Sequence, residues 1–233
     1  MADGTDTFIR EVQEELRREQ LLRVWERYGT YIIAAAVFLV LAVAGYKYLE
    51  YNRIASAEAA GASYRAAIAL SEQGKPEEAQ KALEAIAGKS SSGYATLAGL
   101  HLAATAAKQG KAAEAVAAFD AIAKGSAGDD LLRDHAALQA AMLRLDTADW
   151  TEMQNRLNDL TNDKNAWRFS ARELLGLAAY KAGRTAEARK TFEQLLGDQG
   201  TPPSMVERVQ LMLNVLTEAD VAKGTGTAPA NAK

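Results

Sequence analysis

The chain of 233 residues is nearly neutral, with 27 Lys and Arg against 30 Asp and Glu and a formal net charge of −3. Phosphate binding needs a concentrated basic face, so this balance disfavours nucleic acid as a principal partner. The absence of cysteine excludes disulfides, thiolate catalysis and Cys-ligated metals. Abundant Ala with only four Pro favours an all-α protein.

Residues 1–28 form a charged arm that we expect to be partly helical and cytoplasmic. Phe8, Val12 and Leu16 recur at four-residue spacing, with charged residues on the other faces. One interpretation is a solvated helix that leads into a membrane. The alternative is a helix that lies at the membrane surface or contacts a partner.

An uncharged run of 19 residues separates Arg27 from Lys47. A helix of this length spans roughly 28 Å, close to the hydrocarbon thickness of a bilayer. We therefore predict a transmembrane helix at 29–49. A cleaved signal peptide, with Ala42–Ala44 as the small-residue site, is the first alternative, but the long acidic segment before it is atypical. A buried core helix is the second alternative, which the length disfavours.

Aromatic and basic residues at both ends of this run are typical of membrane–water interfaces. Basic residues are more numerous before the run, with five Arg, than after it, where Lys47, Arg53 and Arg65 follow. This bias predicts a cytoplasmic N-terminus and, in a bacterium, an inner-membrane protein with a periplasmic C-terminal domain. The predicted interface anchors are Trp25, Arg27, Tyr28, Tyr31, Tyr46, Lys47 and Tyr48.

Four segments beginning at Gly74, Gly110, Ala148 and Gly183 repeat at spacings of 36, 38 and 35 residues. Each has Glu four residues on, then a small or flexible residue, then a large apolar residue four further on. A small residue also lies seven positions before each segment. This pattern resembles the tetratricopeptide repeat, a helix-turn-helix unit of about 34 residues.

The sequence therefore predicts a repeat domain at 50–222, in which four helix pairs form an α-solenoid. The repeats are placed at about 57–88, 92–125, 129–162 and 166–198. Ser204 with Glu207 and Asp149 with Glu152 have the spacing of capping boxes. The first of these predicts a helix at 204–218 that caps the solenoid, followed by a flexible tail at 223–233.

No residue pattern indicates chemistry. His101 and His135 are the only histidines and have no metal-ligand spacing, and neither a phosphate-binding glycine loop nor a nucleophile elbow occurs. A structural role for each ionisable residue is the stronger interpretation. We expect no enzyme activity, no cofactor and no small-molecule substrate.

A solenoid of this type binds partners in a groove lined by its first helices. The alignment predicts a mainly apolar groove suited to an apolar segment or helix of a partner, with Glu72, Lys108, Glu173 and Lys181 at its rim. The alternative is that these apolar residues are core. The predicted lining is Tyr64, Ile68, Leu100, Leu138, Met142, Leu177 and Tyr180.

The whole layout resembles the YfgM-like ancillary subunits of the SecYEG translocon. The resemblance rests on the Trp25–Gly29 junction, the single anchor, the Ser56–Tyr64 segment and the Gly93–Ala98 segment. It implies a translocon-associated protein that also contacts a membrane-anchored periplasmic chaperone and assists secreted chains. The leading hypothesis is therefore a non-enzymatic membrane scaffold. The alternatives are a cell-envelope or cell-division adaptor with the same repeat domain, and an enzyme with an unconventional site in the groove.

Overall fold

A computed structural model describes the backbone of residues 3–88, 93–126 and 128–225 and the side chains of residues 25–88, 93–126 and 128–221. Every regular element in these ranges is helical, which confirms the all-α class. The chain divides into two compact units, one up to Ala59 and one from Ala60 onward. The helices are α1 (Asp3–Glu72), α2 (Pro76–Ala87), α3 (Gly93–Lys108), α4 (Ala112–Lys124), α5 (Asp130–Arg144), α6 (Trp150–Leu157), α7 (Arg168–Lys181), α8 (Thr185–Gly197) and α9 (Pro203–Thr225), with a short 3-10 helix at Asp159–Thr161 after α6.

The first unit is helical from Asp3 onward, so the arm and the hydrophobic run belong to one element, with no break at residue 28. Large apolar side chains in the run are all exposed, from 47% at Ile32 to 74% at Phe38. None of its most apolar window is buried within the described part of the chain. This disfavours the core-helix alternative and leaves a helix long and apolar enough to cross a membrane.

In the second unit the helices pack as consecutive antiparallel pairs. The end of α1 packs on α2, and α3–α4, α5–α6 and α7–α8 follow, with α9 packed on α8. The repeat positions predicted from the sequence are buried. All eight small or flexible positions of the repeat are buried. They are Ala67, Ala103, Ala141 and Gly176 on the first helices and Ala79, Ala115, Met153 and Ala188 on the second helices.

Three of the four turns between paired helices use a glycine in the left-handed region. Gly74, Gly110 and Gly183 have φ of 76°, 78° and 72°, a conformation that ends a helix at no steric cost only for glycine. Pro76 follows the first of these turns at the start of α2, where its missing N–H costs nothing. These turns make each pair of helices antiparallel.

The two predicted capping boxes differ from the structure. The Asp149 Oδ1 accepts a hydrogen bond from the Glu152 N–H at 2.8 Å, but the Glu152 carboxylate binds arginines instead of returning to residue 149. The Ser204 cap is wrong, because α9 begins at Pro203 and the Pro202 carbonyl accepts the first backbone hydrogen bonds. The helix then continues to Thr225, beyond the predicted 204–218 and into the predicted tail, whose residues 226–233 lie outside the described ranges.

Candidate functional site

Two of the predicted groove residues are core residues. Leu100 is 9% exposed and packs with Ala103 and Phe119, and Leu138 is 3% exposed and packs with Met153 and Leu157. The small residues on neighbouring helices leave room for both leucine side chains between the helices. Their assignment to an open groove is therefore wrong.

Three further predicted groove residues are half-buried. Ile68 and Leu177 pack at the edges of the first and last core clusters. The Tyr64 ring lies 6.0 Å from the Tyr94 ring, centroid to centroid, and burial raises the pKa of its phenol. These three residues therefore lie at the outer edge of the core, where part of each side chain is accessible.

Met142 and Tyr180 are the two predicted groove residues that are exposed, at 52% and 38%. Two of the four predicted rim groups have protein partners, and Glu72 and Lys108 are exposed. The Lys181 Nζ donates to the Leu145 carbonyl at 2.9 Å, and the Glu173 carboxylate accepts two hydrogen bonds from Arg208, at 2.7 and 2.8 Å. Met142 and Tyr180 are therefore the exposed apolar side chains of the predicted groove, and Lys181 and Glu173 have protein partners.

An ionic network that the sequence did not reveal joins α4, α5 and α6. Arg144 makes two hydrogen bonds to Glu152, at 3.0 and 2.8 Å. The Arg156 Nε donates to the same carboxylate at 2.9 Å, and its two terminal nitrogens hold Asp120 at 2.7 and 3.1 Å. Hydrogen bonds from both arginines lower the pKa of Glu152 to about 2. Because the partners lie on three helices, the network stabilises the packing of these helices.

Several polar contacts recur at about one repeat length. Asp120 and Arg156 are 36 residues apart, as are the Leu131 carbonyl and the Trp167 indole N–H, which lie 3.0 Å apart. The Arg172 side chain is buried and donates to the Thr161 carbonyl at 3.1 and 2.9 Å. The two contacts at 36 residues link the second pair of helices to the third and the third pair to the fourth.

Of the two histidines, His135 lies in a packing contact. The His135 ring packs on Trp167 with 4.8 Å between ring centroids, and burial lowers its pKa. Its Nδ1 is buried without a hydrogen-bond partner. Within the described residues, no group of three or more His, Cys, Asp or Glu side chains could hold a metal ion.

The predicted interface aromatics are all exposed, from 49% at Tyr28 to 73% at Tyr31. At 100° per residue, Tyr48 and Tyr51 lie about 60° apart on one side of α1, and Tyr46 lies on the opposite side. The two predicted basic anchors have local contacts. The Arg27 guanidinium lies 5.8 Å from the Tyr28 ring centroid, and Lys47 pairs with Glu50 at 2.7 Å.

The repeats described above agree with a known protein family. The family model for the tetratricopeptide repeat-like domain matches residues 23–218. The chain belongs to this family. No curated protein and no solved structure matches it. The predicted tetratricopeptide-like repeats are thus confirmed, while the narrower resemblance to translocon subunits stays a prediction.

The match begins before the hydrophobic run and ends within α9. One family model therefore covers both the hydrophobic run and the repeats. Tetratricopeptide-like domains generally mediate protein–protein interaction. The exposed apolar residues Met142 and Tyr180 are consistent with that activity, since Met and Tyr are enriched at interfaces.

Proposed function

We propose that this protein is a non-enzymatic scaffold, anchored in a bacterial inner membrane, that binds protein partners through its repeat domain. The observation that carries the proposal is the exposed apolar run of α1 in a chain of the tetratricopeptide-like family. An apolar surface of this length is unfavourable in water and favourable in lipid. The repeats would supply the binding surface.

The distribution of large apolar residues around α1 supports lipid as the surroundings of the run. A helix that packs on one protein partner presents its large apolar residues on one face. Here Phe38, Leu39, Val40 and Leu41 cover a full turn of the helix and are 64–74% exposed. The excess of arginine before the run supports an N-terminus in the cytoplasm and repeats in the periplasm.

The proposed partners are the SecYEG translocon and a membrane-anchored periplasmic chaperone, with secreted chains in transit between them. This finer assignment rests on the resemblance to the YfgM-like subunits. A binding surface confined to the membrane plane meets other membrane proteins at a raised effective concentration. Modest apolar contacts at Met142 and Tyr180 would then suffice for assembly.

The test is site-specific photocrosslinking in sealed cells. A photoreactive amino acid replaces Met142 or Tyr180, and Ala117, an exposed residue of α4, serves as the control position. Translocon or chaperone adducts are expected from the first two positions and not from the third. Septal wall-synthesis partners at the same positions would favour the cell-division adaptor instead, and no adduct at either would contradict the scaffold.

Orientation is tested separately by adding protease to intact cells and to spheroplasts. The repeat domain should be protected in intact cells and digested in spheroplasts. A domain that resists protease in spheroplasts, while a periplasmic control protein is digested, would overturn the predicted orientation.

A further inference from the structure

The turn of the third helix pair differs from the other three. Those turns end the first helix on a glycine, and Pro76, Ala112 or Thr185 begins the second helix. In the third pair no residue of the turn has positive φ, Asp149 caps the helix and Trp150 is its first residue. A large aromatic ring therefore stands where the other pairs have a smaller side chain.

A pocket of about 250 Å³ lies beside this indole, between the α5–α6 turn and the end of α7. The buried residues Met153 and Ala178 lie at its base, and Leu145 and Trp150 line its sides. Ala182, at the end of α7, is exposed at the rim. The small alanines on α7 and the large Trp150 on α6 leave this space unfilled.

The charged groups at the mouth of the pocket have protein partners. The Asp149 side chain, which also lines the pocket, accepts a hydrogen bond from the Glu152 N–H at 2.8 Å. The Lys181 Nζ bonds to the Leu145 carbonyl and lies 3.6 Å from Asp146. The Arg184 guanidinium lies 5.2 Å from the Trp150 ring centroid and donates to Glu187 at 2.7 Å. A charged ligand would have to displace these contacts, whereas an uncharged one would not.

The pocket, at about 250 Å³ and partly open to solvent, lies between two reference sizes. An apolar cavity of about 150 Å³ accepts benzene, whereas pockets for drug-sized ligands measure about 300–1,000 Å³. We propose that this pocket receives a single uncharged apolar side chain, of leucine or phenylalanine size, from a partner polypeptide. The proposal rests on the proposed protein-binding function and names the partner chemistry at one position.

The absence of cysteine permits a direct test by disulfide tethering. The full chain with Ala182→Cys, in lipid nanodiscs, is exposed to phenylethyl, isobutyl, aminoethyl and carboxyethyl disulfides under a fixed concentration of reductant. Intact mass spectrometry measures the fraction tethered. Gln109→Cys is the matched control, since residue 109 is the equivalent turn residue of the second pair and is exposed.

The apolar fragments should tether about tenfold better than the charged ones at residue 182, but equally at residue 109. If charged fragments tether at residue 182 as well as or better than apolar ones, the proposed selectivity of the pocket is overturned. The crosslinks expected from position 180 do not depend on that result.

The second measurement is photocrosslinking of a variant that fills the pocket. Ala182→Leu should lower the yield of crosslinks from position 180 several-fold. If this variant gives the same crosslink yield as the chain with Ala182, the proposal that a partner side chain occupies the pocket is overturned. If the chain with the photoreactive residue at position 180 and alanine at 182 gives no crosslinks, the proposed function itself is overturned, and the occupant with it.

Discussion

Phe192 packs so closely on Gly176 that a β-carbon on residue 176 would lie 2.5 Å from its Cε1 atom. Both residues are buried at the contact between α7 and α8. The equivalent first-helix residue is alanine in the other three pairs. The fourth pair therefore combines the smallest first-helix residue with a phenylalanine in the second helix.

Gly176→Ala is expected to destabilise the protein by about 1–2 kcal/mol, because overpacking outweighs the gain in helix propensity. Phe192→Leu should relieve the clash, so the double variant should be more stable than the sum of the single effects. Thermal unfolding by circular dichroism measures the cycle. Gly197→Ala, where a β-carbon has nothing within 4 Å, is the matched control and should not destabilise the protein. Additive effects within error would contradict the close contact.

The Glu152 network makes stability depend on acid pH. The folded-state pKa of about 2 lies below the ordinary value of 4.5, so the stabilisation is present above pH 4.5 and is lost as the pH falls towards 2. Urea unfolding should therefore show a difference between wild type and Glu152→Gln that is largest at neutral pH and vanishes near pH 2.

The matched control for this network is Glu187→Gln, which removes a carboxylate held by Arg184 within a single helical turn. That pair is exposed and local, so its substitution should change the free energy of unfolding less. Equal effects of the two substitutions at neutral pH would contradict a network that joins three helices.

The repeats and their buried positions could be predicted because small and large residues recur at one period. The ionic network could not, since Asp120 and Arg156 lie on the second helices of successive pairs and their side chains meet only in the folded repeat domain. The groove prediction failed at Leu100 and Leu138 for a related reason. Periodicity identifies the helix on which an apolar residue lies, but alanine-rich neighbours decide whether it is covered.

His135 is expected to titrate below the ordinary histidine pKa of 6.5, because burial against Trp167 disfavours its charged form. The neutral form is then favoured by folding, so stability falls as the pH drops below 6.5. NMR titration of the two histidines, with His101→Gln for assignment, measures the midpoint. His135→Phe should keep the ring contact and reduce the loss of stability between pH 7 and 5. A titration midpoint of His135 at or above 6.5 would contradict a pKa lowered by burial.

The exposed run of α1 should hold the protein in the membrane. Val37→Arg with Val40→Arg places two charges near its centre, at a cost of about 3 kcal/mol each on insertion scales. The double variant should shift from the carbonate-resistant membrane fraction to the soluble fraction, while Val37→Leu with Val40→Leu should stay. Retention of the arginine variant at the wild-type level would indicate that the run is not the anchor.

The central claim is that the repeat surface around Met142 and Tyr180 binds protein partners at the membrane. Photocrosslinking from these two positions in sealed cells tests it most directly. The account predicts discrete adducts with translocon or chaperone subunits from Met142 and Tyr180, none from Ala117, and their loss when Val37→Arg and Val40→Arg release the chain from the membrane. Adducts of equal yield from all three positions, or none from an intact and inserted protein, would contradict it.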